Sequence, residues 1–287
     1  MRRRCPPAGR CLAAVIGLCL SGLAAAETLP RVMSTNLCAD VLLLSLADPA
    51  QIVSVSYKSQ DPRQSSMAER AAAYPGNRAT AEEVIALAPD ILLTSRRWLS
   101  RQDATLFARH GIRVVRVPFP RTWAEIFATT RQVGAQIGRA DAAQALVDTA
   151  RQRLAGLHRD AQPVSALYLR PNGGSAGRGT HVDAVLEAAG FRNHATALGL
   201  DGWGTLSLEA LVNDPPAVIV VSNLQRDATY ARNGFARHPQ IRRLLAERPV
   251  LQMTQNDWGC SNLQLAQAAE ALATQWQLAG APAGHRP

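Results

Sequence analysis

Lysine is nearly absent from this chain: Lys58 is the only one among 287 residues, so the basic balance is almost entirely arginine. Aromatic residues make up 5% of the sequence. No basic run is interleaved with aromatics, which argues against a nucleic-acid partner. His-x-His, His-Glu-x-x-His, Cys-x-x-Cys and Cys/His clusters are all missing, so a zinc centre and a dithiol redox motif are not expected. A Gly-x-Ser-x-Gly elbow is missing too. The glycine-rich stretch 173–179 lacks the Gly-Lys-Ser/Thr ending of a phosphate-binding loop and reads instead as a flexible loop that lets a ligand approach the backbone.

Long apolar runs are scarce as well. One dozen-residue run, Leu12 to Leu23, follows Arg2, Arg3, Arg4 and Arg10 and precedes Ala24-Ala25-Ala26. It is short for a bilayer span. The three parts together read as a secretory signal peptide over residues 1–26. Its removal takes four arginines and no acid, lowering the formal charge from +9 to +5. Cys5, Cys11 and Cys19 leave with it, and Cys38 and Cys260 remain. An even pair in an exported chain is read first as a disulfide, with two buried free thiols as the alternative. The mature chain is expected to be soluble, because it has no second run long enough to cross a membrane.

What is present is a phrase that occurs twice. Ala-Glu-Glu-Val-Ile-Ala-Leu-Ala-Pro-Asp-Ile-Leu-Leu begins at Ala81, and Ser-Leu-Glu-Ala-Leu-Val-Asn-Asp-Pro-Pro-Ala-Val-Ile-Val-Val begins at Ser207. Each is a short amphipathic helix with an early glutamate, then a proline break, then an apolar strand. The spacings Glu82 to Pro89 and Glu209 to Pro216 are both seven residues. Two copies 127 residues apart imply two similar α/β lobes with a cleft between them.

Strands are expected at 31–34, 51–56, 90–94 and 113–117, with helices between, as in a buried parallel sheet. Residues 122–160 then read as helical, interrupted at Gly138-Arg139-Ala140-Asp141, with Asp141 as an N-cap and a helix of about 18 residues from Asp141 to His158, roughly 27 Å long. Strands resume at 164–169, 217–221 and 250–253, and a last helix covers about 262–278. The expected organisation is a leader (1–26), an N-terminal lobe (27–138), a connecting helix (139–160), a C-terminal lobe (161–280) and a tail (281–287). The fold class is α/β: two Rossmann-like lobes with parallel central sheets joined by one long α-helix. Such a connector favours small-amplitude opening.

Ligands of such sheets bind beyond the strand C-termini. The loops there offer Asn36, Tyr57, Arg96, Arg97 and Trp98 from the first lobe. From the second they offer Arg170, Asn172, Arg178, Trp203, Asp257 and Trp258. Flat aromatic walls suit a large rigid ligand.

The layout and phrases Asn36-Leu37-Cys38-Ala39-Asp40, Glu82 to Leu93, Thr180 to Gly190, Trp203 to Val221 and Asp257-Trp258 resemble class III periplasmic substrate-binding proteins. These are the vitamin B12, ferric-siderophore and haem receptors of ABC importers. The resemblance spans about residues 31–278. It implies a periplasmic, non-enzymatic, monomeric binding protein. Its partner would be an ABC permease dimer with its ATPase subunits. It implies docking on that permease through Glu82 and Glu209, one carboxylate per lobe; Glu83 is an alternative to Glu82. The positions of Trp203, six residues before Glu209, and of Asp257-Trp258 match the corrinoid site of the B12-binding members. They point to cobalamin or a related metal chelate as transported ligand, with no resident cofactor or metal. The rival is a ferric siderophore clamped by Arg96, Arg97, Arg170 and Arg178. Haem would take an axial tyrosine or histidine, for which Tyr57 and His181 are available. An exported hydrolase or a structural envelope protein is the remaining alternative.

Overall fold

The computed structural model describes residues 28–157, 162–222, 234–253 and 258–280. The signal-peptide and tail expectations lie outside these residues. Each lobe is a parallel sheet covered on both faces. In the first lobe the strands are β1 (Val32–Ser34), β2 (Ile52–Ser56), β3 (Gly76–Asn77), β4 (Ile91–Thr94) and β5 (Arg113–Arg116), in the spatial order β3-β2-β1-β4-β5. Side chains alternate across this sheet as strand geometry requires. Val32, Ile91 and Leu93 enter one core, while Met33 and Leu92 enter another with Val84 and Phe107.

The second lobe holds β6 (Val164–Leu169), β7 (Gly174–Ala176), β8 (Phe191–Asn193), β9 (Trp203–Thr205), β10 (Val218–Val221) and β11 (Val250–Gln252). Its parallel sheet has the order β11-β10-β6-β8, and β7 and β9 form a separate antiparallel ribbon. Ala166, Tyr168, Val218 and Val220 face one core; Leu167, Leu169, Ile219 and Val221 face the other. The glycine-rich stretch is therefore in part a buried strand rather than a loop.

Between the lobes runs a helical hairpin: the helical stretch expected before Gly138 joins the expected connecting helix in bridging them. The Ala140–Ala155 helix falls within the expected connector. The Trp123–Gln136 helix precedes it and runs antiparallel to it. Both arms serve both lobes. Ile126, Phe127, Val147 and Ala150 pack in the second lobe's core, while Val133, Ile137 and Ala143 pack in the first. The tip is anchored by Gln51 Nε2, which donates to the Ile137 carbonyl at 2.9 Å, and the base by Trp123 Nε1, which donates to the Ala184 carbonyl at 3.0 Å. Two glycines make the hairpin possible. Gly138 turns the chain at φ +73, a region L side chains avoid. At Gly134 a Cβ would come within 2.4 Å of Ala143 Cβ, so the arms could not close on any larger residue. Asp141 is not the N-cap; Arg139 occupies that position, and Asp141 sits in the first turn, where its charge suits the helix dipole.

The expected disulfide is present. Cys38 and Cys260 are bonded across the lobes with Cα atoms 5.1 Å apart. No described helix is long and apolar enough to cross a membrane.

Candidate ligand-binding cleft

Strands β1, β5, β6, β10 and β11 approach the cleft by their C-termini, which is where a parallel sheet exposes its loops, and β9 approaches it by its first residue, Trp203. The cleft encloses about 440 Å³. The first lobe supplies Leu37, after β1, and Phe119, after β5, together with Arg63 and Gln64. The second supplies Tyr168 near the end of β6, Arg170 and Pro171 just beyond it, Ser222 after β10, and Trp258 and Gly259 after β11. His181 opens the His181–Ala188 helix, and Trp203 opens β9.

Five rings form one connected cluster. Tyr168 lies 5.2 Å from Trp258 and 6.3 Å from Trp203, measured between centroids. His181 lies 5.6 Å from Trp203 and 5.4 Å from Phe119. The Arg170 guanidinium sits 5.8 Å from the Trp203 centroid, a cation–π contact. Trp258 is buried, whereas Trp203 keeps 45% of its surface exposed and so offers a free face at the rim.

His181 has a defined state. Its Nε2 is 2.8 Å from the Trp258 carbonyl oxygen, which can only accept, so the hydrogen is on Nε2. Burial pushes its pKa below the ordinary value, which keeps the ring neutral. Nδ1 then carries a lone pair that has no hydrogen-bond partner among the described residues and is itself buried, the residue being 1% exposed. The indole Nε1 of Trp258 is also buried without a partner among the described residues. Tyr168 shares a 2.8 Å hydrogen bond with Ser222 Oγ, and burial raises its pKa, so it stays a phenol. Arg63 is held by its neighbour: Nε and Nη2 donate to the Asp61 carboxylate at 3.0 and 2.9 Å. Among the described residues no cluster of three or more acidic, histidine or cysteine side chains could hold a metal ion.

Of the residues expected to line the cleft, Arg170, Trp203 and Trp258 do so. Asp257 lies outside the described residues. The others are placed elsewhere or engaged locally. Asn36 caps the Leu37–Leu46 helix, its Oδ1 accepting from Ala39 N at 3.2 Å. Tyr57 is 47% exposed and carries Arg78 over its ring at 5.6 Å. Arg96 and Arg97 are exposed on a short helix, Arg96–Leu99. Trp98 packs on Phe107 and donates to the Ala79 carbonyl at 2.8 Å, a structural role. Asn172 Oδ1 accepts from Gly174 N at 3.0 Å and shapes the turn into β7. Arg178 pairs with Asp201 at 3.6 Å beside a separate depression of the second lobe.

Sequence reasoning missed Phe119 and Tyr168 and named His181 only as an axial donor should the ligand be haem. Tyr168 carried a usable sign: it is the polar-tipped residue next to the last position of an otherwise buried strand. Phe119 sits between two prolines on the crossover into the hairpin, a position whose direction no local pattern reveals.

Glu82 and Glu209 are exposed in the first turns of the Ala81–Leu87 and Leu208–Asn213 helices. Glu83 is committed otherwise. It closes a capping box with Thr80, its carboxylate accepting from Thr80 N at 3.1 Å and Arg78 N at 2.9 Å.

Solved structures with this fold include periplasmic haem-binding proteins. The RhuT protein of Roseiflexus sp. RS-1, in its apo form, aligns with 88% of this chain and 99% of its own at 20% identity and a TM-score of 0.66. HutB of Vibrio cholerae aligns with 85% of this chain and 98% of its own at 21% identity and a TM-score of 0.68. BhuT in complex with two haems aligns with 86% of this chain and 98% of its own at 22% identity and a TM-score of 0.62. No curated protein matches the chain by sequence. The family model described as "Periplasmic binding protein" matches residues 32–275. The chain belongs to that family, the periplasmic substrate-binding proteins of ABC importers.

Proposed function

We propose that this protein captures haem, or a metal–tetrapyrrole of the same flat, aromatic-edged class, between its lobes and delivers it to an ABC permease. The observation that carries this reading is the cluster of five rings, Phe119, Tyr168, His181, Trp203 and Trp258, gathered along one cleft. An imidazole nitrogen is an axial donor for a ferric centre, and Tyr168 places a phenol in the same cleft. Indole, phenol and phenyl rings suit the porphyrin plane and its edges. Three proteins of the same fold are haem-binding by description.

The corrinoid expectation rests on Trp203 and Trp258. Both line the cleft, but rings that stack on a corrin stack equally well on a porphyrin. Cobalamin also carries its own axial base and has less need of a free imidazole. The siderophore expectation loses ground for a different reason. Of its four arginines only Arg170 reaches the cleft, and Arg170 is stacked on Trp203.

In this reading the chain is exported by its leader, works in the periplasm as a single copy, and docks through Glu82 and Glu209. Both carboxylates are exposed, whereas Glu83 is bound to its own helix start. Titration of the mature protein with ferric haem tests the ligand. Saturable binding with a shifted Soret band is expected. His181→Ala should weaken it on the order of tenfold to a hundredfold. Absence of haem binding together with tight binding of cobinamide or a ferric hydroxamate would overturn the reading.

A further inference from the structure

Charge is unevenly placed along the chain. Residues 27–287 carry 27 basic and 22 acidic side chains. Within them, residues 96–125 hold seven arginines against two acids, Asp103 and Glu125. That surplus of five equals the whole net charge of 27–287, and the rest carries twenty of each sign.

The fold gathers these arginines on one flank of the first lobe. β5 is the outermost strand of its sheet and pairs with β4. Arg113 and Arg116 sit at its two ends. Arg96 and Arg97 belong to the short helix that follows β4, and Arg101 to the turn after it. Arg109 ends the Ala104–Arg109 helix that leads into β5, and Arg121 lies between β5 and the hairpin. All seven are exposed. Countercharge within the flank is slight. Asp103 stands 3.9 Å from Arg109, and Glu125 accepts from the backbone N of Arg121. Arg113 donates to Gln136, a neutral partner. The side chains of Arg96, Arg97, Arg101 and Arg116 have no hydrogen-bond or ion-pair partner among the described residues.

Like charges crowded without partners repel one another, so such a flank favours the approach of a negative surface. Charges on an edge strand also keep it from pairing with another chain. That accounts for Arg113 and Arg116 but not for the arginines off the strand. The surroundings of the charge indicate the partner. A protein partner is met by an apolar centre inside a polar rim. Of the large exposed hydrophobic side chains described, only Phe119 falls in this stretch, and it belongs to the cleft. Arginine forks hold phosphate oxygens in pairs. A charged flank without an apolar centre suits a fluid array of phosphates, in which each headgroup finds its own arginine.

We propose that the β5 flank of the first lobe is a peripheral membrane contact for the phosphate headgroups of anionic phospholipids. The attachment is electrostatic and reversible by salt. It holds the protein close to the membrane in which an ABC permease sits and so raises its effective concentration there. The proposal does not rest on the ligand assigned to the cleft.

Vesicle flotation of the mature protein tests it. At low salt, binding to vesicles of equal parts phosphatidylglycerol and phosphatidylcholine is expected, with none to phosphatidylcholine alone. Binding should fade at about 1 M salt, where the Debye length is roughly 3 Å. Arg96→Gln, Arg97→Gln and Arg101→Gln combined in one chain should weaken it about tenfold or more. A control of equal charge, Arg70→Gln with Arg192→Gln and Arg242→Gln, removes exposed arginines elsewhere and should bind within about twofold of the parent. Equal loss in both triple variants shows a general attraction to net charge and overturns the proposal. So does absence of binding by the parent, equal binding to neutral vesicles, or binding only to vesicles that carry lipopolysaccharide. Hydrogen exchange of the unaltered protein, with and without phosphatidylglycerol vesicles, needs no substitution. Slower exchange is expected at residues 96–117 and not in the second lobe; slowing confined to the second lobe overturns the proposal.

Discussion

In the first lobe, side chains near the strand C-termini are largely spent on the lobe itself. Asp40 accepts from Ser34 Oγ, from Ser56 N and from Ser59 Oγ, Asn36 caps a helix, and Trp98 closes a small core. In the second lobe the corresponding region lines the cleft, although Tyr168, His181 and Trp258 are themselves largely buried. Tyr168, Arg170, His181, Trp203 and Trp258 all reach the cleft, against Leu37, Arg63, Gln64 and Phe119 from the first. The layout is repeated, but the chemistry is not. A repeated α/β layout fixes where loops emerge; it does not fix which loop supplies rings and which supplies only scaffolding. The two lobes are alike at the exposed first-turn glutamates Glu82 and Glu209 and unlike at the cleft.

The largest expected effect comes from breaking that likeness. Glu82→Arg or Glu209→Arg should abolish uptake by the cognate importer while leaving ligand affinity within about twofold, since like charges facing across an interface cost several kcal/mol. Normal uptake by both variants would end the docking assignment.

The two tryptophans expected to share a role should separate next. Trp98→Ala should cost about 2–3 kcal/mol of stability, because it opens the Phe107 cluster, and leave ligand binding unchanged. Trp203→Ala should do the reverse. Its half-exposed ring contributes little to folding, and its loss should weaken ligand binding on the order of tenfold. Paired chemical denaturation and titration of both variants decides whether the lobes divide their labour in this way.

The smallest expected effect is a difference in pH response. Burial raises Asp40 to about 6, from an ordinary value of 3.8. Asp40 thus holds its proton more tightly folded than unfolded, and its contribution is full in acid and fades as pH rises through about 6. His181 is shifted down, so its contribution is full above the ordinary value of 6.5 and fades as pH falls. Between pH 7 and pH 5 the two lobes therefore respond with opposite sign. Asp40→Asn should remove an acid-side gain of about 1 kcal/mol, making urea stability fall more steeply toward pH 5 than in the parent protein. Equal pH slopes would place the charge of Asp40 in a more hydrated setting than its burial implies.

Much of the fold is legible in the residues. The strands are continuous apolar runs, the helix starts carry Thr80, Thr122, Thr180 and Ser207 as caps, and the duplicated glutamate phrase announces two lobes. The hairpin was half legible. Residues 122–136 have helical spacing, but nothing local says that Ile126 and Val133, seven positions apart on one helix, serve different lobes. The cleft was less legible still. Arg170, Trp203 and Trp258 were marked by residue type and by position after strands. Tyr57, Arg96 and Arg97 fit the same rule and do not line it, because being next to a strand end says nothing about which way a side chain leaves the loop.

By itself the sequence determined the parallel α/β class and the two-lobe layout, which follow from periodicity and spacing acting over short stretches; it marked the two glutamates through the family resemblance and left the two cysteines between a disulfide and free thiols. Only the tertiary structure decided that both hairpin arms bridge the lobes, that five rings from distant positions meet, and that one carbonyl, Trp258's, fixes the free nitrogen of His181. These are contacts between residues 77 or more positions apart in the last case, set by how two sheets and a hairpin pack together, and no local pattern encodes them.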